Sequence, residues 1–193
     1  MSELNAKYWD NKYLENQTGW DIGYPSTPLK DYIDQLDNKE TRVLIPGAGN
    51  AYEAEYLLNE GFKYVFVLDF SREALNAFKL RVPEFPIDQI IQSDFFEHDG
   101  AYDLILEQTF FCAVDPAMRK ELMNKTYELL RPKGKYVGLL FDFPLESGPP
   151  FGGSLEEYID IFQWKYPHFQ INRAYNSIKP RKDKEFFFIA QKT

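Results

Sequence analysis

From residue 41 onward, short apolar runs alternate with stretches of helical periodicity. Near the end this alternation breaks, and two apolar runs follow each other with only a turn around Pro180 between them. Strands alternating with helices make βαβ units and a parallel sheet. Two strands with no helix between them must pair antiparallel, because a parallel pair needs a long crossover. The pattern predicts strands over 42–45, 64–68, 89–92, 102–106, 135–141, 169–175 and 185–191. It predicts helices over 52–59, from an N-cap at Ser71, over 116–130 (closed by Pro132 and Gly134) and over 155–164. The expected fold is α/β: a mostly parallel seven-stranded sheet with an antiparallel C-terminal strand and helices on both faces. A dinucleotide dehydrogenase would continue with another βαβ unit, so this ending disfavours an NAD-dependent oxidoreductase.

The strand over 42–45 runs into "PGAGNAYE" and then a helix. Gly47 and Gly49 permit the tight turn and close backbone approach that a nucleotide needs, and Ala51 stands where a third glycine could be. Alone, this is equally a plain strand-to-helix turn. Asp69 changes the weighting. It ends the second strand about 20 residues on, where a carboxylate can accept both ribose hydroxyl hydrogens. Asp94, after the third strand, can accept from an adenine amino group, with Phe95 against the ring. All of these lie at carboxyl ends of strands, where ligands bind in open α/β sheets.

Residues 1–38 carry no strand pattern. They are polar and aromatic, broken by Gly19, Gly23, Pro25 and Pro28, and read as a helix over 5–15, a Gly/Pro turn and a helix over 28–36. The length of 193 residues fits one domain, with 1–38 as a helical lid on a core of 41–193. Trp9, Tyr13 and Trp20 have little to bury against unless they close over the carboxyl edge of the sheet.

The net charge of −8 argues against a nucleic-acid partner, because phosphate binding needs clustered cations. The one basic cluster, 179–184, reads as a solvated turn. The single Cys112 excludes an internal disulfide and a Cys-rich zinc site, and reads as buried packing. With no secretory signal pattern, it predicts a reducing, cytoplasmic location. No apolar run is long enough to span a membrane. Nothing demands a dimer, so a monomer acting on a small molecule, without a metal, is expected.

The segments "LIPGAGNAYE", "VLDFS", "QSDFFE", "YDLILEQTFFCAVDP", "ELLRPKGKY" and "SGPPF", with the N-terminal "YWDNKY" and "TGWDIGYPSTPL", resemble the thiopurine S-methyltransferase family. The chain is most similar to its thiol and halide methyltransferase branch. The resemblance covers nearly the whole chain and implies a Rossmann-like class I methyltransferase. S-adenosyl-L-methionine would be the donor and a small soft nucleophile, above all a thiol sulfur, the acceptor; halide and thiocyanate are the others. It implies that Trp9, Tyr13 and Trp20 cover the cofactor. Gly47, Asp69, Asp94 and Phe95 match the family's cofactor contacts, and Glu107 and Gln108 fall beneath the methionine end. Gln108 stands where plant halide-type enzymes carry a tyrosine, and Phe141 or Phe143 replaces another ring hydroxyl near the acceptor. These departures weigh against a halide.

Methyl transfer from a sulfonium is an in-line displacement on an activated donor, so the protein mainly positions, desolvates and shields. That accounts for the lack of a G-x-S-x-G or H-E-x-x-H motif. His98 and His168 show no partner in the sequence. Trp9, Trp20 and Phe110 or Phe111 could face a cationic methyl group. Phe111, Phe141 and Phe143 are expected around the acceptor. If a base removes the thiol proton, Asp21, Glu107 and Asp142 are the candidates. Two other readings stay open: an amine or hydroxyl acceptor with the same cofactor, and a non-catalytic S-adenosylmethionine-binding protein.

Overall fold

The structure is a computed structural model that describes residues 4–145 and 148–193. Residues 1–3 of the expected lid and Ser147 of the SGPPF motif lie outside the described residues. In chain order the elements are α1 (Ala6–Leu14), α2 (Thr27–Ile33), β1 (Arg42–Pro46), α3 (Tyr52–Asn59), β2 (Tyr64–Asp69) and α4 (Arg72–Arg81). There follow β3 (Ile90–Gln92), β4 (Tyr102–Glu107), α5 (Arg119–Leu129), β5 (Leu130–Phe141), α6 (Leu155–Lys165), β6 (His168–Arg173) and β7 (Glu185–Gln191). The sheet order is β3-β2-β1-β4-β5-β7-β6. Neighbours from β3 to β5 are parallel, and β7 is antiparallel to both β5 and β6. The expected sheet is the one observed.

Successive side chains of a strand point to opposite faces, and β1 is apolar on both. Val43 and Ile45 pack with Leu29, Ile33, Ala54 and Val67 on one side, and Leu44 with Ile105, Phe162 and Phe188 on the other. The second face holds much of the aromatic content. Tyr136 lies 4.7 Å from Phe188 and stacks on Phe162 at 6.4 Å between centroids. Tyr166 donates to Thr126 Oγ1 at 2.8 Å, which satisfies a hydroxyl otherwise sealed from water.

The helix expected over 116–130 is divided. A 3-10 turn, Pro116–Met118, is capped by Asp115, which accepts from Ala117 N at 2.9 Å, and α5 follows. Pro132 and Gly134 do not close a helix but fall inside β5. That strand begins at Leu130 opposite Tyr102 and rejoins the ladder at Lys135 opposite Leu104. The four residues between bulge out, and a proline without a donor is tolerated where the ladder is interrupted. His98, whose partner the sequence does not reveal, has its Nε2 2.8 Å from Tyr102 Oη. Among the described residues no helix is long and apolar enough to cross a membrane.

Phe162 is fully buried between Tyr136, Tyr166, Phe169 and Phe188. Truncation there leaves a cavity that the strands of a sheet cannot collapse into. Phe162→Ala is expected to cost about 3–5 kcal/mol in chemical denaturation.

Candidate functional site

The site is built where β1, β2, β4 and β5 reach their carboxyl ends. After β1 the backbone turns through Gly47 and Gly49, at φ +53° and +56°. The glycines are needed twice over. An L side chain resists that conformation, and an added Cβ would meet the Phe110 ring at 2.2 Å and Tyr13 Oη at 2.6 Å respectively. Ala51, in the third-glycine position, is also left-handed at φ +51°. β2 ends at Asp69, whose Oδ2 accepts from Gly49 N at 2.9 Å and whose Oδ1 accepts from Ser71 N at 2.8 Å. Burial is the main cause that raises the Asp69 carboxyl to about 6. The nearby Asp10 anion adds to it, while the backbone donors oppose it.

Above this edge lies a cavity of about 1020 Å³. That is at the top of the roughly 300–1,000 Å³ usual for one small ligand. It is lined by Trp9, Tyr13, Gly47, Asp69, Asp94 and Phe95, and by Phe110, Phe141, Phe143, Pro149 and Pro150 together with Arg181 and Lys184. A second cavity, of about 50 Å³, lies under the glycine turn between Asp21, Gly49, Asn50, Glu53 and Gln108.

Residues 4–23 pass over the large cavity. Trp9 and Tyr13 each meet Trp20 edge to face, at 5.3 and 6.0 Å. Asp21 Oδ2 accepts from Asn50 Nδ2 of the glycine turn, and its Oδ1 from Gly23 N. The Trp20 carbonyl accepts from Arg181 Nη2 at 2.7 Å. Arg181 therefore does not sit in a solvated turn, as its basic cluster suggests: its side chain is 11% exposed and pairs with Glu185. Oriented to satisfy both its ends, the Gln108 amide donates to Glu53 Oε1 at 3.2 Å and accepts from Arg181 Nη1. Sequence reasoning missed Arg181. The antiparallel last strand was the signal, since the turn before such a strand must lie at the carboxyl edge.

Of the three proposed bases, none lines the large cavity. Asp21 is committed to the glycine turn. Asp142 pairs with Arg173 at 2.6 Å. Glu107 is 1% exposed, and its Oε2 accepts from Phe110 N at 2.9 Å and Phe111 N at 3.2 Å. It shapes the turn after β4 and does not face the ligand space. Phe111, expected at the acceptor, points instead into the core against Tyr158, and its neighbour Phe110 lines the cavity. Asp94 and Phe95 are both at the cavity, and Asp94 Oδ1 also accepts from Phe96 N. Cys112 is buried beside the cavity and donates to Thr109 O. No metal-binding cluster occurs among the described residues.

A family model described as thiopurine S-methyltransferase matches residues 4–187. Among curated proteins, the chain is 29% identical to "Probable thiol methyltransferase 2" of Arabidopsis thaliana, over 82% of this chain and 72% of that one. It is 27% identical to thiocyanate methyltransferase 1 of Brassica oleracea, over 92% and 81%. It is 23% identical to the thiopurine S-methyltransferase of Acinetobacter baylyi, over 84% and 86%. Among solved structures, the 1,6-didemethyltoxoflavin-N1-methyltransferase of Burkholderia thailandensis, with S-adenosylhomocysteine bound, superposes with a TM-score of 0.79 at 17% identity, over 98% of this chain and 88% of that one. A glycopeptide N-methyltransferase bound to the same product gives 0.69 at 15% identity, over 89% and 91%.

Burial holds Glu107 protonated, raising its pKa from 4.5 to about 8, while the Phe110 and Phe111 amides oppose the shift. The folded state therefore binds more protons than the unfolded chain between those two values, and this group's contribution to stability falls as pH rises from about 4.5 to 8. Glu107→Gln keeps an acceptor for both amides and cannot ionise. It should match the parent protein near pH 5 and exceed it by about 1–3 kcal/mol at pH 8 in denaturant titrations.

Proposed function

Because the chain belongs to the thiopurine S-methyltransferase family and is an S-adenosylmethionine-dependent methyltransferase, we propose that its acceptor is a small apolar or aromatic thiol. The observation that carries this reading is the continuity of the large cavity from Asp69 to a wall of rings and prolines with Arg181 beside it. One space takes both partners of a transfer, and the wall proposed for the acceptor is apolar with a cation beside it.

The cofactor suits the residues at the β1–β2 edge. Asp69 has used one lone pair of each oxygen on the backbone and keeps the others for two ribose hydroxyls. Gly47 and Gly49 let the backbone turn closely beneath the Phe110 ring and the Tyr13 hydroxyl, beside the ribose acid. Asp94 and Phe95 would meet the adenine. Asp21, Glu53 and Gln108 around the small cavity suit the ammonium of the methionine end. When bound, S-adenosylmethionine supplies a methyl group activated by its sulfonium. The chain does the rest by position and exclusion. Trp9, Tyr13 and Trp20 cover the donor side, residues 4–23 acting as a lid that excludes water. Phe110, Phe141 and Phe143 hold the acceptor's body. The thiolate is the reactive form of a thiol, and the Arg181 guanidinium favours it electrostatically without taking the proton. With the three candidate carboxylates turned away, the proton leaves to solvent.

Turnover with a panel of thiols, thiocyanate, iodide and simple amines tests the proposal. Aromatic thiols should be methylated fastest. The pH–rate profile should move with the acidity of the thiol used. Preferred methylation of an amine, or a profile fixed across thiols, would overturn it.

Asp69 gives a second test. The ionised carboxylate is the stronger acceptor for two hydroxyls, so affinity for S-adenosylmethionine should fall as pH drops through about 6, by at most about tenfold per pH unit. Asp69→Ala should weaken binding by at least about tenfold at neutral pH, since hydrogen bonds to a charged group are worth about 1.5–3 kcal/mol. Isothermal calorimetry reads both.

A further inference from the structure

Helix α1 carries no buried residue, so core packing does not fix its place over the cavity. One of its side chains is bonded into the core. Asp10 Oδ1 accepts from Ser71 Oγ at 2.7 Å and from Glu73 N at 3.1 Å. Glu73 N belongs to the first turn of α4, whose amides have no partner within the helix. Ser71, the N-cap, already accepts from Ala74 N through its own Oγ at 3.1 Å. The start of α4 thus takes one acceptor from its own chain segment and a second, charged one from another helix, in the place where the helix dipole favours an anion.

The same turn serves the cofactor carboxylate. Ser71 N donates to Asp69 Oδ1 at 2.8 Å while Ser71 Oγ donates to Asp10. One residue therefore bonds at once to the acid of the ribose site and to the acid of the cover. Tyr13, one turn along α1 from Asp10, has its hydroxyl against Gly49, the other residue that donates to Asp69.

We propose that Asp10 is a positioning residue for the donor. It docks the cover helix onto the first turn of α4, so that Trp9 and Tyr13 close the ribose side of the cavity and slow the escape of S-adenosylmethionine. The proposal rests on the reading of Asp69 as the ribose acceptor.

The test compares Asp10→Ala, Asp10→Asn and Asp69→Ala, each checked for an intact fold by thermal melting. S-adenosylhomocysteine binding is measured by calorimetry, and steady-state kinetics use thiophenol as acceptor. Asp10→Ala should raise the Kd for the product and the KM for S-adenosylmethionine by about tenfold, the loss expected for one N-cap acceptor. The KM for the thiol, and kcat at saturating donor, should move by less than about twofold. Asp10→Asn, whose amide oxygen can accept from the same two donors, should recover most of the loss. Limited proteolysis over 17–23 should be suppressed by S-adenosylhomocysteine in the parent protein and should persist in Asp10→Ala at the same ligand concentration. Unchanged affinity in Asp10→Ala beside weakened affinity in Asp69→Ala would overturn the proposal and spare the ribose reading. Failure of asparagine to rescue would also overturn it. Unchanged affinity in Asp69→Ala would remove the ribose reading itself, and the proposal with it.

Discussion

A carboxylate placed at the end of the second strand does two jobs before any ligand arrives. Asp69 accepts from Gly49 N on one side and Ser71 N on the other, and so ties the glycine turn to the start of α4. Beside the Asp69 bond, Ala48 N donates to Leu68 O at 3.2 Å, so the left-handed turn is held to β2 at two points. The partners of Asp69 are backbone amides, so no cation neutralises it, and burial leaves its carboxyl easier to protonate than a free aspartate. The glycine turn, the α4 cap and, through Ser71, the cover helix all depend on this one side chain.

The acidic character of the site's floor follows the same logic. Glu53, Glu107 and Glu185 are all buried and all raised, chiefly by desolvation. Arg181 is the cation set among them, and it reaches Glu185, Gln108 and the Trp20 carbonyl. A buried charge needs partners on every side. Arg181 finds them in the last strand, the segment after β4 and the N-terminal cover, and so holds together three parts of the chain that are far apart in sequence.

What could be read from the sequence was local. Gly47, Asp69 and Asp94 stand at strand ends separated by fixed lengths of βα unit, so their convergence follows from periodicity. The antiparallel end of the sheet follows from the break in alternation there. Phe110 and Phe111 could not be told apart, because only the turn closed by Glu107 decides which ring meets the cavity and which the core. Pro132 and Gly134 look like helix stops, and their place in a bulge depends on pairing with β4. Arg181 reads as solvent-facing because one of its partners lies some 160 residues away, on a backbone carbonyl that no residue identity reveals.

The antiparallel strand has one more implication, for how the sheet is assembled. β7 is the last strand in sequence but not at the sheet's margin: it lies between β5 and β6. Until residues 185–191 arrive, β5 offers an open hydrogen-bonding edge and β6 has no neighbour at all. A nascent chain would carry that gap from the completion of β5 at residue 141 until β7 arrives, with Phe186 and Phe188 still missing from the aromatic layer they complete. Open edges of this kind invite pairing with other chains. The final strand thus works as a keystone slid into a waiting slot, and premature termination within it would expose the sheet at its middle.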